Sequence, residues 1–212
     1  MARIKNGFLG GFSGKLGTAV GYQIGDEWFL RARPRKKSFS SAELENQGKM
    51  GMVSRYLGPL KPLLKVGFKG HYTKTGGYRG AVSYTRKEAL VVDDAGTYID
   101  PALFRISGGN LPQALDPSVE ALDEQQIYIS WEHPVALLTA RLSDQLLVLL
   151  YDPESGDSLQ WIYDAAFRRE KQFQLPYHES LRGKSFDVHI GFVAGDRSAQ
   201  SNSQYLGKLT YP

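Results

Sequence analysis

A chain of 212 residues, 42% hydrophobic, 12% aromatic and 23% charged, has the make-up of a folded globular protein with room for one large domain or two small ones. It has no cysteine, which excludes disulfides and thiolate metal sites. The net charge of +4 conceals a split, since residues 1–90 carry 17 Lys and Arg against 5 Asp and Glu while residues 91–212 carry 9 against 17. An imbalance of that size points to an anionic partner or to an acidic neighbouring subunit.

The stretch Met1 to Gly11 has early positive charge but lacks the unbroken apolar run of a secretory signal. The longest apolar run, Leu146 to Tyr151, is far below the ~20 residues that span a bilayer. The expectation is a protein without a membrane segment, cytoplasmic or virion-associated. Gly10-Gly11-Phe12-Ser13-Gly14-Lys15 invites comparison with a phosphate-binding loop. Three residues instead of four separate Gly10 from Gly14, Leu16 follows where Ser or Thr is needed, and no apolar strand precedes the run. It is read as a flexible turn entering a hairpin.

Thr18 to Arg33 has the pattern of a β-hairpin whose two-residue loop is Gly25-Asp26. That loop sets Tyr22 opposite Phe29 and Val20 opposite Arg31 on one face, with Gln23 opposite Trp28 on the other. Pro34 ends the second strand within a basic run made of Arg31, Arg33, Arg35, Lys36 and Lys37. Cations beside aromatic rings suit a contact element, and with Lys15, Tyr22, Trp28 and Phe29 these residues form the candidate partner surface. A charged strand edge is also the ordinary defence against edge-to-edge aggregation.

Ser40-Ser41-Ala42-Glu43 has capping-box spacing and predicts a helix start, with Leu44, Met52, Val53, Tyr56 and Leu57 as the apolar stripe. Gly48 and Gly51 weaken this helix, and Pro59 and Pro62 divide it from a short second one through Leu63 to Val66. His71 to Arg79 reads as a Gly-rich loop and Ala81 to Leu90 as a further short helix. Tyr72, Tyr78 and Tyr84 are assigned to packing between these helices and the β-sandwich expected to follow.

Val91 to Asp100 predicts strand, acidic turn, strand. Beyond Leu103 come short strands: Ile127 to Trp131 and Phe186 to Phe192, both half-buried, then Gln145–Tyr151, Ser158–Tyr163 and Tyr205–Thr210. Turns every 8–12 residues among antiparallel strands argue for a β-sandwich. The fold class is therefore α+β: a basic hairpin and short helices over 1–90, followed by a sandwich over 91–212.

The run Ile127 to Trp131, with its tryptophan on the second strand, and Phe186 to Ala194, followed by a Ser-rich loop and Tyr205-Leu206, resemble a fibronectin type III or immunoglobulin-like domain. Such sandwiches serve as spacers, adhesins and binding modules alike. The whole chain resembles an uncharacterised bacterial family, of Bacteroidetes type and about this length, on its Gly11-Phe12-Ser13-Gly14-Lys15-Leu16-Gly17-Thr18-Ala19-Val20-Gly21 run and the basic stretch Arg31 to Pro34. The family usually continues with an Asn/Thr/Gln-rich segment; here Lys37 to Glu43 is a looser version. Similar N-terminal motifs occur in phage and prophage proteins, which implies an assembly role.

Four histidines, at positions 71, 133, 178 and 189, lack metal-ligand spacing, and His189 is expected to face solvent or a hydrogen-bond partner. Asp93-Asp94 and the segment Asp152 to Asp157 suit turns better than calcium loops. With no catalytic spacing and no cofactor or metal motif, the leading expectation is a non-enzymatic structural or interaction protein with a protein partner or self-association. The alternatives are nucleic-acid binding by the basic half and carbohydrate binding by the sandwich on Trp131 and Trp161. No small-molecule substrate is indicated.

Overall fold

The computed structural model describes residues 3–4, 10–34, 38–70, 76–94, 96–123, 126–132, 141–153, 159–175, 179 and 182–210. The chain divides into two compact units, Met1–Asn46 and Gln47–Pro212.

The first unit is a four-stranded antiparallel meander of β1 (Arg3–Ile4), β2 (Phe12–Leu16), β3 (Ala19–Ile24) and β4 (Glu27–Ala32), in that order across the sheet. The register of β3 with β4 is the one the Gly25-Asp26 turn dictates: Tyr22 faces Phe29, Val20 faces Arg31 and Gln23 faces Trp28. The Gly-rich run before it is not a flexible turn. Phe12–Leu16 is a strand of its own, closed on β3 by a second two-residue turn at Gly17-Thr18. Both turns begin on a glycine in the left-handed region, Gly17 at φ 56° and Gly25 at φ 60°, which suits primed hairpin turns to the strand twist. Gly21 serves close approach, because a Cβ there would overlap the Phe12 carbonyl and ring.

Helix α1 (Ser41–Leu57) starts at the predicted capping box. The Ser40 amide donates to Glu43 Oε2 at 2.9 Å and the Glu43 amide donates to Ser40 Oγ at 3.3 Å. Its apolar stripe is shorter than expected: Val53 and Leu57 are in the core, while Leu44 is exposed. α2 (Lys61–Gly67) follows Gly58 and Pro59. α3 (Gly77–Tyr84) begins inside the stretch read as loop, and a π-helical turn, Thr85–Ala89, delivers the chain to β5 (Leu90–Asp93). Gly77 is there for space, since a Cβ would stand 2.8 Å from the Phe68 carbonyl group. The remainder of the predicted loop, 71–75, lies outside the described residues. β5 pairs with β6 (Gly96–Ile99), and the Asp93 carboxylate accepts the Gly96 amide, a turn role as expected.

Seven strands then build two sheets: β7 (Leu115–Asp123), β8 (Gln126–Glu132), β9 (Gln145–Tyr151), β10 (Leu159–Ile162), β11 (Gln172–Leu175), β12 (Ser185–Val193) and β13 (Gln204–Thr210). One sheet runs β11-β8-β7 and the other β10-β9-β12-β13. Between them lies a core with Ile127, Ile129 and Trp131 from one sheet and Leu146, Val148, Phe186, Val188 and Ile190 from the other. A second core covers the opposite face of β9, where Leu147, Leu149 and Tyr151 meet Val53, Leu57, Leu63, Leu64, Phe68 and Phe104. β9 is buried on both faces, which is why its sequence is an unbroken apolar run.

Two expectations change here. The compact units divide after Asn46 and not near residue 90, because helices α2 and α3 share a core with β9 instead of joining the N-terminal sheet. β12 is not half-buried: its second face, Asp187, His189 and Gly191, is covered as well.

The chain is close-packed at the end of α2, where a Cβ on Gly67 would overlap the Ile106 carbonyl oxygen. Gly67→Ala is expected to destabilise the second unit by about 2–3 kcal/mol. Gly48→Ala, at an open position in α1, is expected to stabilise by about 0.5–1 kcal/mol. Urea midpoints of the two variants should move in opposite directions.

Candidate interaction surface

In the first unit, pairing across three strands sorts the side chains onto two faces. Lys15, Val20 and Arg31 stand in one row, and Tyr22 and Phe29 in the next, on the same face. The Tyr22 and Phe29 rings stack at 5.6 Å between centroids, and the Arg31 guanidinium lies 5.5 Å from the Tyr22 ring centre. The other face holds Phe12, Leu16, Trp28 and Leu30. The alternation of β4 thus separates Trp28 from the other aromatic members of the predicted set. Arg33 continues the strand, its amide donating to Thr18 O at 2.7 Å. Arg35, Lys36 and Lys37 lie outside the described residues.

β4 is the edge of this sheet and all six of its residues are exposed, including Trp28 at 36%, Phe29 at 39% and Leu30 at 65%. Leu16 and Ile24 are exposed too. Among the described residues no further strand pairs with β4, and large apolar side chains on both faces of such an edge strand are uncommon in monomers, which blunt such edges. Sequence reasoning missed Leu16 and Leu30. The signal for Leu16 was the Gly17-Thr18 turn, which repeats the Gly25-Asp26 turn eight residues earlier.

The second unit has a cleft of about 520 Å³ among Tyr56, Tyr98, Tyr151, Asp187, Tyr205 and Lys208. The Tyr205 hydroxyl donates to Asp187 at 2.8 Å, and the Tyr151 hydroxyl donates to the Tyr56 carbonyl at 2.9 Å. Burial pushes the Tyr151 phenol up to about 12 and, with the Asp187 hydrogen bond, does the same to Tyr205; burial also raises Tyr56. All three phenols remain neutral at physiological pH; those of Tyr151 and Tyr205 are hydrogen-bonded, while the Tyr56 hydroxyl is buried without a partner.

His189, expected at solvent or on a partner, is fully buried with both ring nitrogens lacking a hydrogen bond. Phe104 and Tyr205 flank it at 5.3 and 5.1 Å between ring centres. Its burial follows from the segment between β6 and β7, where Phe104 packs edge-on to the ring and Ser107 lies over Gly191, and from Tyr205 on β13. Among the described residues, no group of three or more His, Asp or Glu stands together to hold a metal ion, and no helix is long and apolar enough to cross a membrane. His71, His133 and His178 are outside the described residues, as are positions 154–157 of the second acidic cluster and Tyr72. Tyr78 and Tyr84 pack on the helical core as expected.

Trp131 is 2% exposed, with Nε1 donating to the Arg168 carbonyl at 3.0 Å and its ring edge-on to Phe192. Trp161 packs against the helical core. A sugar-binding platform needs exposed rings, so Trp131 is removed from that reading.

Sheets of three and four antiparallel strands closing over a buried tryptophan on the second strand make this a β-sandwich of fibronectin type III-like fold, here with a helical layer on the larger sheet. Residues 11–207 match a family of unknown function, DUF6266, and the chain belongs to that family. Among solved structures it is similar to the fn3 domain of human collagen alpha-1(XX) chain, with 10% identity, 49% of this chain and 89% of that chain covered, and a TM-score of 0.36. It is also similar to the chicken CNTN1 FN1-FN3 domains, with 12% identity, 56% of this chain and 38% of that chain covered, and a TM-score of 0.36. No curated protein matches the chain.

Proposed function

We propose that this protein is a non-enzymatic assembly component, in which the sandwich is a scaffold and the N-terminal sheet is the element that contacts another protein chain. The observation that carries the reading is β4, an edge strand with Trp28, Phe29 and Leu30 all exposed. An uncovered edge offers main-chain hydrogen bonds, and its apolar side chains add area to lose from water. Sedimentation velocity over a wide concentration range tests it. The native chain is expected to associate, and Trp28→Thr/Leu30→Lys, both at exposed positions, is expected to sediment as a monomer with an unchanged thermal transition. Unchanged association of the double variant would remove β4 from the contact.

A second reading, nucleic-acid binding, is favoured by one arrangement: Lys15 and Arg31 share a face with the stacked Tyr22 and Phe29 rings. Phosphate contacts by these cations would give a linear fall of log K with log salt. A flat salt dependence, or no binding of single-stranded DNA at low salt, would end that reading.

A further inference from the structure

We infer that β4 pairs antiparallel with β4 of a second copy of this chain, about a two-fold axis at Phe29; this rests on the reading of the N-terminal sheet as a contact element. The two-residue turn makes Ile24 and Glu27 the first hydrogen-bonded pair of the hairpin, and the Arg33 amide bonded to Thr18 keeps the same parity. Glu27, Phe29 and Arg31 therefore direct their amides and carbonyls toward β3. Those of Trp28 and Leu30 point out of the sheet edge, at residues exposed on both sides of the strand.

The sequence of this edge is self-complementary. Setting Trp28 opposite Leu30 of the second copy makes four backbone hydrogen bonds, two for each such pair. The same register sets Phe29 opposite Phe29 on the axis and Glu27 opposite Arg31 at both ends. Every large apolar side chain then meets another, and Glu27 and Arg31 each meet the opposite charge. Sliding the strands by two residues one way puts Phe29 opposite Arg31 and Trp28 opposite Ala32, and the other way puts Phe29 opposite Glu27. Parallel pairing in register sets Arg31 and Arg33 of the two copies side by side. Antiparallel pairing carries Arg33 of each copy toward the Gly25-Asp26 turn of the other, so the basic ends separate and each meets an acidic turn.

The chain has no cysteine, so a single introduced thiol reports its own counterpart. Phe29→Cys is expected to form a disulfide-linked dimer under mild oxidation, because a non-hydrogen-bonded pair holds its Cα atoms about 4.5 Å apart. Leu30→Cys, offset by two residues from its own copy, is expected to remain unlinked. Glu27→Arg is expected to weaken the dimer by on the order of tenfold in sedimentation, since two opposite-charge pairs become like-charge pairs. Arg31→Glu should do the same, and Glu27→Arg/Arg31→Glu should restore the native constant. A dimer that forms without the Phe29→Cys link, links through Leu30→Cys, or is not restored by the double swap overturns this pairing and leaves the wider reading standing. A monomer at every concentration overturns the pairing and self-association together.

Discussion

Arg168→Met is expected to lower the stability of the second unit by about 3–5 kcal/mol, seen as a lower urea midpoint. Arg168 sits in a 3-10 turn, Arg168–Glu170, with its side chain fully buried. Its Nε donates to Asp144 Oδ2 at 3.3 Å, Nη1 to the Gln113 carbonyl at 3.2 Å and Nη2 to the Pro112 carbonyl at 2.7 Å. The guanidinium lies 3.7 Å from the centre of the Phe192 ring, and the Arg168 carbonyl accepts the Trp131 indole. One residue thus joins the segment before β7, the segment before β9 and the core tryptophan. Methionine would fill much of the volume but leave Asp144 buried without its cation and two carbonyls without donors. Asp144→Asn/Arg168→Met is expected to cost less than the sum of the single changes by about 1–3 kcal/mol, the sign of a coupled pair. Strict additivity, or a single-variant cost under about 1 kcal/mol, would show that the pair does not act as a buried unit.

Acidification is expected to destabilise the second unit starting near the ordinary histidine value of 6.5, through His189. Burial pulls this imidazole from 6.5 down to about 3. Between those two values the unfolded chain takes up a proton that the folded chain refuses. The contribution to stability is therefore complete above about pH 6.5 and is lost as pH falls, at up to about 1.4 kcal/mol per unit, reaching roughly 3 kcal/mol near pH 4. Other titratable groups on this face include Asp187, two positions earlier on β12, its cross-strand neighbours Tyr151 on β9 and Lys208 on β13, and Tyr205 on β13; all are retained in His189→Leu. That variant is expected to lose this part of the pH slope. It should be no less stable at neutral pH, because the ring nitrogens it removes have no hydrogen-bond partner. Superimposable pH profiles for the native chain and the variant would sink the assignment.

Local chemistry made part of this fold legible. The register of β3 and β4 was readable because a two-residue turn leaves one pairing open, and the start of α1 because Ser40 and Glu43 satisfy each other's neighbouring amides over three residues. β7 was not readable: Pro117 and a register shift between Leu115 and Ser118 break its alternation. β11, four residues long, carries too short a pattern. His189 was misplaced because alternation along a strand says which residues share a face, and not what covers that face. The candidate surface was half legible: Lys15, Tyr22, Phe29 and Arg31 do share a face, but the exposure of Leu30 on β4 is a tertiary property that strand alternation does not carry.

The charge split shows the same division. By itself the sequence determined that the front half is basic, that a sandwich lies behind it, and that two-residue turns set strand pairing near the N-terminus. Only the tertiary structure decided where the charge belongs. Residues 1–46 carry 8 Lys and Arg against 4 Asp and Glu, and residues 47–212 carry 18 against 18. The basic helices fold into the same unit as the acidic strands because Val53, Leu57, Leu63 and Phe68 need an apolar surface, and β9 offers its second face to them. Hydrophobic burial, which pairs faces far apart in sequence, thereby neutralises the larger unit and leaves the net positive charge on the small N-terminal one.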